Sequence, residues 1–323
     1  MSMSNKIKEF IQKSAFKLGF FKIGFARAEF LEKEASLLET WLMRGYHGDM
    51  LWMENHFDKR LDPRLLLNGC KTVIMFAHNY YPSEKLKLNR FKISKYAYGE
   101  DYHNVLKDKL YKIASETTEK FGSFAYKIFV DSAPVMERAW AERSGIGWVG
   151  KHSLLLTKST GSFYFLATML VDLDLEPDAP VPDHCGNCTK CIDACPTEAI
   201  LMPKLVDSNK CISYLTIEYR KELPDEYQSK MNGWIFGCDI CQDVCPWNRF
   251  STPHSEERFN PSEQLKQVTD DELYQMEKEL YNQIFAKSAV KRTKFQGLRR
   301  NIDFIEDEDR KQKSRPDGRL PSL

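Results

Sequence analysis

The chain has no long hydrophobic run: nowhere in its 323 residues is there a stretch approaching the roughly 20 apolar residues that span a bilayer. It also has almost no charge bias. A formal net charge of +1 gives no overall pull toward nucleic acid or membrane, so any such surface has to be local. The opening residues, Met1-Ser2-Met3-Ser4-Asn5-Lys6, lead into an amphipathic pattern instead of an apolar signal core. That argues against export by this route and for a cytoplasmic protein with no membrane association. Nucleotide loops are missing as well. There is no Walker loop, and the glycine-rich Gly145-Ile146-Gly147-Trp148-Val149-Gly150 stands in the wrong context for a dinucleotide fingerprint and reads as a tight turn. With 42% hydrophobic and 29% charged residues the chain is ordinary globular material, long enough for two domains or for one large domain with an insert.

Cysteine is what the sequence has in excess. Of nine cysteines, eight fall between Cys185 and Cys245, a density that in a reducing compartment signals metal and not disulfides. Cys70 stands apart before an apolar run and reads as a small buried hydrophobe. The first run, Cys185-x2-Cys188-x2-Cys191-x3-Cys195-Pro196, matches the bacterial ferredoxin pattern. The second, Cys238-x2-Cys241-x3-Cys245-Pro246, lacks a first member, which Cys211 supplies from upstream. A cubane cluster needs four thiolates, and in this arrangement the last cysteine of each run crosses to the other cluster. One [4Fe–4S] cluster is therefore assigned to Cys185, Cys188, Cys191 and Cys245, the other to Cys195, Cys211, Cys238 and Cys241. Zinc also takes paired Cys-x-x-Cys ligands, but a closed four-ligand site has no use for the full run.

Periodicity predicts a helix over Asn5–Leu18, a strand over Phe20–Ala26, broken helix over Glu32–Trp52 and a strand over Thr72–Tyr80. A helix over Tyr102–Phe121, a strand over Ala125–Val130 and a helix over Val135–Arg143 follow. Ser153–Thr157 and Ser162–Asp172 read as strands joined across Ser159-Thr160-Gly161. This alternation predicts an α/β domain over residues 1–175. A proline-rich linker and the cysteine module occupy 176–250, and a helical, basic segment 251–323, with a tail from Glu306 whose composition predicts disorder.

Asp131 follows an apolar strand and precedes a Pro-initiated helix. Desolvation there would raise its pKa and make it a proton donor near neutrality, and a helix N-cap explains the same position equally well. Tyr96, Tyr98, Tyr102 and His103 form a polar-aromatic group read as a structural network. Between Lys287 and Arg300 the basic residues Lys287, Lys291, Arg292, Lys294, Arg299 and Arg300 occur with no acid among them. The run reads either as an RNA-backbone track with Phe295 interleaved or as a solvated helix face.

Taken in order, Gly99-Glu100-Asp101-Tyr102-His103, Val130-Asp131-Ser132, Ala141-Glu142-Arg143-Ser144-Gly145-Ile146-Gly147, Cys211-Ile212-Ser213-Tyr214-Leu215-Thr216 and the cysteine runs resemble the epoxyqueuosine reductase family. The similarity extends from near the N-terminus to about Phe250, with a weaker echo in Lys291–Asn301. The resemblance implies a nitroreductase-like α/β cobalamin-binding domain joined to a ferredoxin-like double-cluster module, a plan shared with reductive dehalogenases. It implies reduction of epoxyqueuosine to queuosine at the wobble position of a tRNA, the last step of queuosine synthesis, by a monomer fed by an external low-potential electron donor. The Asp-x-His-x-x-Gly signature of base-on cobalamin binding is absent, in agreement with a base-off mode. By the same resemblance Asp131 is the proton donor, and Arg60, Ser94, Asp131, Leu155, Leu166 and Ser213 lie against the cobalamin. Tyr98 and Glu100 depart from the family's commoner choices. The rival classes are a reductive dehalogenase, whose usual twin-arginine signal is missing, and a ferredoxin-type electron-transfer subunit.

Overall fold

The computed structural model describes residues 2–313, with side chains described as far as Glu306. Its first half is built on a four-stranded antiparallel sheet. In chain order the elements are α1 (Met3–Lys17), β1 (Lys22–Arg27), β2 (Thr72–Asn79), α2 (Tyr102–Phe121), β3 (Tyr126–Phe129), α3 (Glu137–Arg143) and β4 (Tyr164–Val171), with the strands in the order β1-β2-β4-β3. The domain is thus α/β as expected, although every strand pair in this sheet is antiparallel. The Ser153–Thr157 segment is not a strand of that sheet: Leu155–Leu156 pairs with Trp148–Val149, and only an isolated Thr157–Gly161 bridge closes the expected turn.

Both faces of β2 are buried, and the two-residue alternation of a strand sorts them. Ile74 and Phe76 enter a core with Ile11, Leu106 and Leu110 of α1 and α2, while Val73, Met75 and Ala77 enter another with Trp140 and Ala141 of α3. The helices start where the sequence supplies caps. The Ser2 side chain accepts from Asn5 N ahead of α1, and the Asp101 side chain accepts from His103 N ahead of α2. At Gly24 a side chain has no room: a Cβ there would lie 2.1 Å from Ser144 O, because the end of α3 crosses β1 at this point.

The second half packs on a separate core. Phe91, Ile93, Ala97 and Tyr98 join Ile212, Leu215, Trp234, Ile235 and Phe236 and then Leu265, Leu273, Phe285, Leu298 and Ile302, so one core draws on all three sequence segments. A parallel pairing of Lys92–Ile93 with Trp234–Phe236 ties them together. The last helix runs Lys294–Lys313, past Glu306 where composition predicts disorder, and residues 314–323 lie outside the described residues. Gly24→Ala is expected to destabilise the chain by about 1–3 kcal/mol, the usual cost of overpacking against an immovable backbone atom, read as a lowered urea midpoint.

Candidate active site

The cysteines of the two runs, with Cys211, gather in two groups. Cys185, Cys188, Cys191 and Cys245 line one cavity of about 210 Å³, together with Lys151, His152, Leu156, His184, Pro246, Trp247 and Arg249. Burial, then the neighbouring Cys245, pushes the Cys191 thiol up to about 11. The other quartet is assembled around Cys238 and Cys241. Burial raises both, and each feels the charge of Cys195 and Cys211. Thiols this disfavoured as anions call for cationic metal to hold them as thiolates. Among the described residues no three His, Cys, Asp or Glu side chains close on a single-ion site. The first quartet surrounds room for a cluster of atoms, which favours iron–sulfur over zinc. Cys70 is buried and pushed up to about 11 chiefly by desolvation, away from both quartets.

Asp131 sits at a turn between β3 and α3. Its φ of 56° is in the left-handed region, a strained place for a non-glycine residue. It is not a helix cap, since α3 begins at Glu137 behind Met136. Its carboxylate accepts from Tyr102 Oη at 2.9 Å and lies 3.5 Å from His103 Nε2, while His103 Nδ1 lies 2.6 Å from Asp101 Oδ1. The Tyr102 ring is fixed by stacking on Phe165 at 4.1 Å between centroids. The Asp131 side chain is 65% exposed, while His103 and Asp101 beside it are half-buried.

The direction of the Asp131 pKa differs from the sequence expectation. Burial does push it up, but the hydrogen bonds to His103 and Tyr102 outweigh burial and hold it below the ordinary carboxylate value. The proton is kept elsewhere. His103 is pushed down by burial yet raised to about 9 by its bonds to Asp101 and Asp131. Glu137 is raised to about 8 by burial and then by Asp131, and accepts from Asp131 N at 3.2 Å and Thr168 Oγ1 at 3.3 Å. At neutral pH the group is a carboxylate flanked by two protonated neighbours. Sequence reading missed the roles of Tyr102, His103 and Glu137. The Asp101-x-His103 spacing at a helix start was a usable signal for His103, whereas Glu137 reaches Asp131 only through a fold-specific turn.

The other predicted cofactor residues fall into smaller groups. Ser94 is buried, donates its N–H to Phe236 O at 2.9 Å, and its Oγ would be 2.2 Å from a Cβ on Gly237. Ser213 lies in the helix Ile212–Ile217, whose Thr216 accepts from Gly237 N at 2.9 Å, so Ser94 and Ser213 flank the start of the second cysteine run. Leu155 is buried, and Leu166 is the one half-buried position in the otherwise buried β4; both pack in the α3-side core. Arg60 is separate: its guanidinium donates to Trp52 O at 2.7 Å and lies over the Trp52 ring.

The fold and its two thiol quartets define an iron–sulfur redox protein, a double-cluster module joined to an α/β domain that carries an acid–base group. A family model described as 4Fe-4S double cluster binding domain matches residues 184–248, and one described as epoxyqueuosine reductase QueG matches residues 60–132. An epoxyqueuosine reductase of Cellulophaga algicola is 55% identical over 305 residues, 94% of this chain and 100% of the relative. One of Escherichia coli is 40% identical over 92% of this chain and 80% of its own length. A crystal structure of epoxyqueuosine reductase with an epoxyqueuosine-modified tRNA-Tyr stem loop superposes with a TM-score of 0.87 at 31% identity, covering 94% of this chain and 81% of that one. A Bacillus subtilis epoxyqueuosine reductase, with its catalytic aspartate loop swung out of the active site, superposes at 0.86 and 30% identity, covering 94% and 81%. The chain belongs to the epoxyqueuosine reductase family.

If the last cysteines cross between clusters, Cys245→Ala is expected to remove the same paramagnetic signal as Cys188→Ala. Cys195→Ala should instead remove the signal that Cys238→Ala abolishes, as read by electron paramagnetic resonance with iron analysis.

Proposed function

We propose that this chain reduces the epoxide of epoxyqueuosine in a tRNA to the alkene of queuosine, with cobalamin and two [4Fe–4S] clusters. The observation that carries the reading is the exposed Asp131 carboxylate, bonded by Tyr102 and beside His103, in a chain of this family with two gathered thiol quartets. Residues 1–175 hold the cofactor and the acid, 176–250 the clusters, and 251–323 part of the RNA-facing surface. The protein works in the cytoplasm as a monomer supplied by an external low-potential donor. No described helix is long and apolar enough to cross a membrane.

The residues fit a large cofactor held by apolar and backbone contacts. Leu166 turns a half-buried apolar side chain out of the sheet, and Leu155 packs in the same core. Ser94 and Ser213 bring backbone and hydroxyl groups beside the second cysteine run, whereas Arg60, turned onto Trp52, stands apart from them. Cobalamin, when bound, supplies a cobalt centre that can be reduced to a strong nucleophile.

Turning an epoxide into an alkene consumes two electrons and two protons and releases water. Clusters held by the two cysteine quartets would supply the electrons one at a time. Asp131 meets the departing oxygen and relays to it the proton that His103 carries, because His103 stays charged up to about pH 9. Glu137, protonated near neutrality, is the adjoining reserve. Tyr102 orients the carboxylate. Without protonation the leaving group is an alkoxide, so this is where the chain's own residues contribute most.

For RNA, the basic run divides. Arg292 is held bidentately by Glu218, Arg299 by Asp303, and Arg300 by the carbonyls of Leu215, Tyr219 and Lys221. Lys287, Lys291 and Lys294 remain exposed. Arg292 lies near enough to Asp131 and Tyr102 to feel their charge, so at that residue the run passes close to the acid group.

Anaerobically reconstituted protein with cobalamin, reductant and epoxyqueuosine-containing tRNA is expected to give queuosine by nucleoside mass spectrometry. Asp131→Asn should reduce the rate about 10²–10⁴-fold, the usual share of a positioned acid. The natural chain should lose activity as pH rises through about 9, where His103 deprotonates. Asp101→Asn should move that limb to lower pH, because one of the two carboxylates that keep His103 charged is gone. Cobalamin binding without tRNA conversion would instead favour the dehalogenase class. Lys291→Glu with Lys294→Glu should weaken tRNA binding and flatten its salt dependence, the log–log slope falling by about one for each phosphate no longer neutralised.

A further inference from the structure

His152 lies at the cavity that the first cysteine quartet lines, and its ring is almost wholly buried, with 4% of the residue exposed. The backbone fixes its tautomer. Leu154 N donates to His152 Nδ1 at 3.1 Å, so Nδ1 carries no proton and the ring proton sits on Nε2. That Nε2 is buried and meets no acceptor in the protein. A buried donor without a partner is costly, about 1–3 kcal/mol, and calls for an acceptor. The ring cannot turn away cheaply. Its Cε1 edge already packs toward Gly150, where a Cβ would be 3.0 Å from it, and the Leu154 N–H holds the other side.

The four cysteines of the first quartet line this cavity with it, beside Lys151 and Arg249, whose side chains can only donate. A cluster sulfur is a weak but anionic acceptor, and N–H···S contacts raise a cluster's reduction potential by stabilising the extra electron. We propose that His152 Nε2–H donates a hydrogen bond to the cluster held by Cys185, Cys188, Cys191 and Cys245 and raises its potential relative to the same cluster without that donor. This rests on the reading of the first quartet as a cluster site. His152 is a positioning and tuning residue: it binds no iron and touches no substrate. Its effect is to make this cluster easier to reduce than its burial alone would allow.

The test is a potentiometric titration of the reconstituted protein followed by electron paramagnetic resonance, beside iron and sulfide analysis. Iron and sulfide for only one cluster in the natural chain would overturn the cluster reading itself, separately from the role of His152. With both clusters present, His152→Leu is expected to shift one midpoint to more negative potential and leave the other in place, and His152→Gln, which keeps an N–H, to stay near the natural value. Two full clusters with both midpoints unmoved in His152→Leu would overturn the proposal. Should the leucine variant fail to assemble the first cluster, His152→Gln decides. Assembly with the natural midpoint supports the hydrogen bond, and assembly with a shifted midpoint, or no assembly, overturns it.

Discussion

The contact on which the rest of the arrangement depends is the buried joint between Lys95 and Asp239. The Lys95 ammonium lies 3.2 Å from Asp239 and 2.6 Å from Asp243, and the Lys95 backbone N–H donates to the same Asp239 carboxylate at 2.9 Å. Lys95 and Asp239 keep only 5% and 3% of their side chains exposed. A buried pair of this kind adds little net stability, but leaving either charge alone is expensive, so the pair fixes geometry more than it adds energy. Asp239 lies between Cys238 and Cys241, and Lys95 follows Ser94. The joint thereby locks the second cysteine quartet against the edge of the α/β domain. Gly237 permits it, since any side chain there would strike Ser94.

A second constraint is electrostatic. Three carboxyl groups and one imidazole crowd the opening around Asp131, too many for all to be charged at once. The fold resolves this by unequal hydrogen bonding. Asp131 and Asp101 share His103 between them, and Glu137 is left with only hydroxyl and amide donors, so it is the one driven toward its neutral form. The left-handed turn at Asp131 is what sets the carboxylate toward His103 and its N–H toward Glu137. Strain at one residue therefore arranges a store of protons around the position where a leaving oxygen would need one.

Much of this was legible before folding because it is local. Ligand runs such as Cys185–Cys195 fix their loop geometry within a dozen residues. The helix Tyr102–Phe121 announces both ends, Asp101 as cap and Gly122 as stop. The rest was not, and the reasons are specific. The charge state of Asp131 depends on His103 and Tyr102, 28 and 29 residues away in sequence and on another helix. Desolvation was foreseeable from the apolar strand before it, but the two donors that overcome desolvation were not. Likewise, the basic run Lys287–Arg300 looked uniform in sequence. Three of its arginines are structural because carbonyls and carboxylates from the Ile212–Ile217 region and the last helix happen to face them. Strand pairing failed similarly: Leu155–Leu156 has strand composition, but its partner is Trp148–Val149 and not the long central strand.

These constraints together give the redox module a direction. The quartet around Cys238 and Cys241 is held by the Lys95 joint beside Ser94 and Ser213, which in the proposed reading is the side toward the cofactor. The quartet around Cys185 lines instead a cavity with Lys151 and Arg249, which in the proposed reading is the side that an electron donor approaches. In the proposed assignment Cys195 and Cys245 each leave one run to serve the other quartet, so the two loops cannot separate without each quartet giving up a ligand. The helices Lys190–Asp193 and Ile240–Asp243, which carry Cys191 and Cys241, pack directly on each other and keep the quartets at a fixed spacing. In the proposed reading an electron thus enters at the outer quartet, crosses where the chain itself crosses, and leaves beside the domain that holds Asp131.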